Sequence, residues 1–212
     1  MTEVPYRARA GRTARAALAL AALALVLAPG PAVAADEKKE PGMSTEAKGG
    51  KKDVAVLKTT MGTIVFEFLP DVAPKMVENF RELATSGFYN GTTFHRVING
   101  FMIQGGDPLS KDNDPTNDGT GSGPRKMPAE FTTKYTHVRG MVSTARANDP
   151  NSGSCQFFIV QKDAHSLDNK YTIFGKVLEG MDIVDKISTV PKDQRDRPLK
   201  NVVMETVTIE TR

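Results

Sequence analysis

Residues 94–107 read Phe94-His95-Arg96-Val97-Ile98-Asn99-Gly100-Phe101-Met102-Ile103-Gln104-Gly105-Gly106-Asp107. Two β-type runs, 92–97 and 101–104, flank an Asn-Gly turn. Side chains alternate across a strand, so Phe94, Arg96 and Ile98 share a face before the turn, and Met102 and Gln104 share another after it. One arginine and one glutamine therefore stand among large apolar side chains. A guanidinium held there loses hydration, and it needs either a partner acid or a ligand to offset that loss. The plain alternative is a structural arginine paired with an acid.

Upstream, Val54-Ala55-Val56-Leu57 and Ile64-Val65-Phe66-Glu67-Phe68-Leu69 are β-type runs around a Thr60-Met61-Gly62 turn, which predicts an antiparallel hairpin. Pro74 then opens a stretch with apolar residues at Ala73, Met76, Val77, Phe80, Leu83 and Ala84, closed by Gly87. That spacing predicts an amphipathic helix with one buried face. Downstream, further β-type runs fall at 140–144, 157–160, 171–177 and 202–210, and a second helical pattern lies near 179–188. About eight short strands, two helices and many Gly, Asn and Pro turns predict a mainly β fold, a closed antiparallel barrel with helices over its ends.

Before this domain the texture differs. Arg7, Arg9, Arg12 and Arg15 precede an apolar run of 13 residues, 16–28, then Pro29-Gly30-Pro31 and Ala32-Val33-Ala34. A basic start, a short apolar run and small residues three and one before a cut site read as an export leader, 1–34, cleaved after Ala34. A spanning helix needs about 20 apolar residues, so a retained membrane anchor is not expected. Residues 35–52 are rich in Lys, Glu and Gly without apolar period and read as a disordered polar linker. The leader carries four arginines and Glu3, which accounts for the whole net charge of +3. The remainder is balanced and has no basic excess for nucleic acid. A periplasmic or secreted location and a monomer are expected.

Several generic motifs fail on inspection. Gly119-Thr120-Gly121-Ser122-Gly123 looks like a phosphate loop but lacks the following Gly-Lys-Ser/Thr. Counting Asp114 as the first position of a calcium loop puts Gly119 correctly at the sixth, yet Arg125 stands where a bidentate Glu is needed. No metal is expected. His95, His137 and His165 are scattered. Composition leaves a Ser-His-Asp triad open, although no G-x-S-x-G elbow is present. Cys155, directly before an apolar strand, reads as a small buried hydrophobe rather than a nucleophile.

The ordered motifs fit one family. The chain resembles the cyclophilins, peptidyl-prolyl cis-trans isomerases, over about 53–210. It does so through Phe88-Tyr89-Asn90-Gly91-Thr92-Thr93-Phe94-His95-Arg96, the Phe101–Asp107 block, Asp118-Gly119-Thr120-Gly121, Ser143-Thr144-Ala145-Arg146-Ala147, Ser154-Cys155-Gln156-Phe157-Phe158-Ile159 and Phe174-Gly175-Lys176-Val177. The resemblance implies a closed eight-stranded antiparallel β-barrel capped by two α-helices, an isomerase domain over 53–212, and a groove on the barrel's outside. It implies that Arg96 is the catalytic arginine and that Phe101, Met102, Phe158 and Leu167 form a proline pocket. Gln104, Gln156 and the backbone around Ala145 and Arg146 would hold the peptide, with Gly119 lining the groove and Tyr171 at the rim. It implies no cofactor, and proline-containing unfolded or exported polypeptides as partners.

Two positions depart from the family pattern. Ser166 stands where eukaryotic members often carry Trp, and Tyr171 where His is common. Ser166 removes a large aromatic wall, which bears on the family's cyclic-peptide inhibitor more than on catalysis. A different class of function, a non-catalytic proline-peptide-binding module or chaperone using the same groove, is the competing expectation. Export makes a direct prediction: mass spectrometry of protein recovered outside the inner membrane should find an N-terminus at Ala35, and an intact leader there would contradict it.

Overall fold

The computed structural model describes residues 51–112 and 114–212. The expected leader, 1–34, and the linker up to residue 50 lie outside the described residues. Lys52, the last residue of the expected linker, exchanges backbone hydrogen bonds of 2.7 and 2.9 Å with Arg212. The ordered sheet is therefore gripped one residue before Asp53.

In chain order the elements are β1 (Asp53–Thr59), β2 (Gly62–Phe68), α1 (Pro74–Thr85), β3 (Arg96–Ile98), β4 (Met102–Gly105), β5 (Met141–Thr144), β6 (Phe157–Val160), β7 (Ile173–Glu179), α2 (Met181–Ser188) and β8 (Met204–Thr211). The strands form one 8-stranded sheet in the order β3-β4-β6-β5-β7-β2-β1-β8, with every pairing antiparallel. Strand number, pairing sense and the two helices match expectation.

Closure differs from the expected closed barrel. β3 and β8 end the sheet and are not paired with each other. Across the seam run one isolated bridge, Thr93↔Val203, and backbone bonds among residues 91–94 and 202–204. The physical reason lies in the loop 191–198, which takes the free edge of β3. Val97 N–H donates to the Asp196 carbonyl at 2.8 Å, and Lys192 Nζ donates to the Val97 carbonyl at 2.9 Å. The expected strand 92–97 is thereby divided, and only Arg96 to Ile98 joins the ladder.

Both helices bury a stripe in the main core. α1 contributes Met76, Val77, Phe80, Leu83 and Ala84, and α2 contributes Val184 and Ile187. Pro74 occupies the first turn of α1, but no side chain adjacent in sequence caps it. The Glu130 carboxylate does so from across the fold, accepting from Lys75 N at 3.1 Å and Met76 N at 2.9 Å. The core centre is aromatic: Phe80 stacks on Tyr89 at 4.8 Å and meets Phe66 and Phe157 edge-on at 5.3 and 5.4 Å.

The central strands have apolar partners on both faces. Ile103, Val142, Phe157, Ile159 and Phe174 enter the main core, whereas their neighbours Met102, Met141, Phe158, Val160 and Ile173 form a second apolar cluster. Period-two alternation thus builds a core on one side and a separate apolar surface on the other. Phe80 is fully buried among rings, so Phe80→Ala should cost about 3–5 kcal/mol in a urea melt. A loss below about 1 kcal/mol would show that the aromatic centre does not hold the fold.

Candidate active site

The second cluster surrounds a cavity of about 120 Å³ lined by Arg96, Phe101, Met102, Gln104, Ala145, Arg146, Phe158, Leu167 and Tyr171. All nine were expected from the sequence. Strand register brings them together: Arg96 lies opposite Gln104, Gln104 opposite Phe158, and Phe158 opposite Ser143. These four residues make one row across β3, β4, β6 and β5. Ile98, Met102 and Val160 make the next row.

The turn between β3 and β4 sets this register. Phe101 N–H donates to the Ile98 carbonyl at 3.1 Å, and Gly100 takes φ +78°, a conformation that suits glycine. The two sets of residues expected on separate faces therefore share one. Phe94 leaves that face and joins the main core, because the regular strand starts only at Arg96.

Arg96 is half-buried, and among the described residues no carboxylate lies within ion-pairing distance of its guanidinium. The alternative of a structural arginine paired with an acid therefore fails for these residues. Gln104 Nε2 donates to Gln156 Oε1 at 3.0 Å. Gln156 Nε2 in turn donates to the carbonyls of Gly119 at 2.9 Å and Gly121 at 2.8 Å. Both amide hydrogens of Gln156 are thus engaged with the loop. In this structure it orients Gln104 and ties down Gly119.

Gly119 and Gln156 line a neighbouring cavity of about 300 Å³, which shares Gln104, Ala145 and Arg146 with the first. Its floor is organised by the fully buried Asp107. One carboxylate oxygen accepts from Leu109 N at 2.8 Å, and the other from the N–H groups of Gly119 and Gly121. Those N–H groups face a carboxylate of the chain itself, so the loop is not arranged as a phosphate cradle. A Cβ on Gly121 would fall on the Asp107 carboxylate, which makes glycine necessary there.

Behind the pocket wall sits His137, fully buried, with Phe158 stacked on it at 6.1 Å and Tyr171 edge-on at 6.5 Å. Its Nδ1 lies 2.9 Å from Asp168 Oδ1 and its Nε2 lies 3.1 Å from Ser143 Oγ. The residue types are those of a hydrolase triad, yet Ser143 is fully buried and donates to the Thr172 carbonyl at 2.8 Å. It offers no exposed nucleophile. Asp168 also accepts from His137 N at 2.7 Å and contacts His165 Nδ1 at 3.0 Å. Burial pushes its carboxyl up, and these bonds outweigh that and hold it below the usual range. The turn His165–Leu167 is thereby pinned beside the pocket.

At the rim, the Arg146 guanidinium lies 4.5 Å from the Tyr171 ring centre and donates to the carbonyls of Lys170, Ala147 and Asn148. Its side chain clips two loops together, a task beyond the backbone contact expected. Ser166 is exposed and adds no wall. Cys155 is fully buried in the main core, and burial first, then Asp107, pushes its thiol up to about 12, so it is inert as expected. His137, Asp168 and Asp107 went unrecognised in the sequence, where no spacing marked them.

With that geometry in view, the chain can be set beside known proteins. The family described as cyclophilin type peptidyl-prolyl cis-trans isomerase/CLD matches residues 54–209. A probable peptidyl-prolyl cis-trans isomerase of Brucella abortus is 43% identical over 150 residues, covering 68% of this chain and 76% of that protein. Peptidyl-prolyl cis-trans isomerase-like 3 of Gallus gallus is 41% identical over 160 residues, covering 72% and 93%. A crystal structure of a Cryptosporidium parvum cyclophilin type isomerase, determined in the presence of the dipeptide Ala-Pro, superposes with a TM-score of 0.68 at 31% identity. It covers 75% of this chain and 99% of that one.

His95 lies buried beside Gly119, and neither ring nitrogen has a hydrogen-bond partner among the described residues. Burial holds both His95 and His137 below the usual imidazole range. For His95, Asp107 and Asp118 oppose that shift and Arg96 adds to it. The unfolded chain then binds protons more readily between the folded value and about 6.5. Stability is therefore full above that window and falls as pH drops through it. The melting temperature should decrease between pH 7 and 5, and His95→Leu should reduce the decrease. An equal slope in the variant would remove His95 from this account.

Proposed function

The chain belongs to the cyclophilin-type peptidyl-prolyl cis-trans isomerase family, and on that basis we propose that it turns X-Pro bonds of exported polypeptides in the pocket beside Arg96. It is a peptidyl-prolyl cis-trans isomerase. The barrier to be lowered is set by amide resonance, ~18–20 kcal/mol. Uncatalysed exchange takes on the order of tens to hundreds of seconds. No bond breaks and no proton is transferred. The task is to bind the twisted amide more tightly than either planar form.

Phe101, Met102, Phe158 and Leu167 hold the prolyl ring, and Gln104, oriented by Gln156, holds the neighbouring backbone. As the amide twists, its nitrogen becomes pyramidal and regains a lone pair. The Arg96 guanidinium donates to it, inside an apolar lining that keeps competing water away. The observation that carries this mechanism is an arginine without an acid partner among the described residues, placed among Phe101, Met102 and Phe158 in a small cavity.

Export is supported by the 1–34 leader pattern. The substrates are then proline-containing chains folding in the periplasm or outside the cell, and the working unit is a monomer. Ser166 favours a second reading, a groove that binds proline peptides without turnover, because it leaves the rim open. A protease-coupled assay on a short X-Pro peptide separates the two. Arg96→Ala should fold normally and lose about two orders of magnitude in kcat/KM, on the order of 3 kcal/mol. Near wild-type turnover in that variant would remove Arg96 from the reaction, and absent turnover in the parent chain would favour the binding module.

A further inference from the structure

We propose that Asp118 and Arg197 form a positioning ion pair that clamps the groove loop at Gly119 to the edge of the strand carrying Arg96, and so sets substrate affinity. The proposal rests on the isomerase mechanism above and adds residues outside the groove lining.

Arg197 Nε pairs with Asp118 Oδ2, and the two side chains are only 20% and 7% exposed. Arg197 is itself held from several sides. Its Nη2 donates to Asn201 Oδ1 at 3.0 Å, and its backbone N–H to Asp193 Oδ1 at 2.9 Å. Asp193 N–H returns a bond of 2.8 Å to the Arg197 carbonyl, closing a tight turn. In the middle of that turn Asp196 adopts φ +65°, an uncommon conformation for a residue other than glycine.

The strained residue has a specific task. The Asp196 carbonyl accepts from Val97 N–H at 2.8 Å, and its carboxylate pairs at 2.8 Å with Lys192, which also donates to the Val97 carbonyl. Val97 is the immediate neighbour of Arg96. The 191–198 loop therefore fixes the backbone from which Arg96 projects.

The same loop also holds the opposite groove wall. Asp118 immediately precedes Gly119, and Arg195 Nη2 donates to the Pro115 carbonyl at 3.2 Å. Gly119 is fixed from below by Asp107 and from the side by Gln156. Asp118–Arg197 is the ion pair that ties this wall to the loop on the β3 edge. It gives a place in the mechanism to the long loop after Asp107, which the barrel alone does not require.

A nearly buried pair responds to mutation in a diagnostic way. Removing one partner leaves a buried charge without compensation, whereas removing both relieves that penalty. Stability and positioning can therefore be separated. Asp118→Asn, Arg197→Gln and the double variant would each be compared with the parent chain for melting temperature, KM and kcat on a short X-Pro peptide. We expect each single variant to raise KM about five- to tenfold, with kcat within about twofold of the parent. The double variant should regain melting temperature yet keep the raised KM.

An unchanged KM in folded single variants would overturn the proposal. So would a KM that returns to the parent value together with the melting temperature in the double variant, since that would mark a structural pair only. A fall in kcat at constant KM would also overturn it. Absence of turnover in the parent chain would instead remove the mechanism on which the proposal rests, and the clamp with it.

Discussion

The row Arg96–Gln104–Phe158–Ser143, running across four strands, is the constraint on which the site depends. Each member comes from a different strand, and a slip of one residue in any pairing would turn its side chain to the opposite face. The slip is opposed because that face is occupied too. Val97, Ile103, Phe157 and Val142 are wholly buried in the main core. A sheet that buries both faces fixes its register twice, and the pocket inherits the precision of the core.

Within that frame the electrostatics are sparse. The groove presents a guanidinium with no acid against it among the described residues, while the surrounding polar groups are engaged with one another. Gln156 is held by two loop carbonyls, Asp107 by loop N–H groups, and Asp168 by His137 and His165. This division suits a reaction whose transition state differs from its ground state by a twist and one exposed lone pair. The positioning donors are satisfied beforehand, and the guanidinium proposed to meet the twisted amide is left available.

Much of this was legible in the chain. The helix at Pro74 follows from apolar spacing, and the Asn99-Gly100 turn from two residues. The nine pocket residues were implied by the resemblance to the cyclophilins; Leu167 and Tyr171 stand outside the motifs that carry it. The side-chain tasks of Gln156 and Arg146 were not legible, because each depends on loop carbonyls brought near from elsewhere in the chain. The Glu130 cap on α1 lies 54 and 55 residues from the amides it accepts. His137 carried no local pattern at all, and its meaning comes from burial against Phe158 and Asp168.

The resemblance to the cyclophilins implied which groups could meet a prolyl amide, and the sequence by itself determined the element types and the turns between them. It could do so because periodicity, turn chemistry and residue type act over a few positions. Only the tertiary structure decided that Arg96 lacks an acid among the described residues, that the sheet ends at β3 instead of pairing with β8, and that the 191–198 loop covers the exposed edge. Those outcomes depend on which distant backbone groups compete for the same hydrogen bonds. That competition is settled by packing across the whole domain.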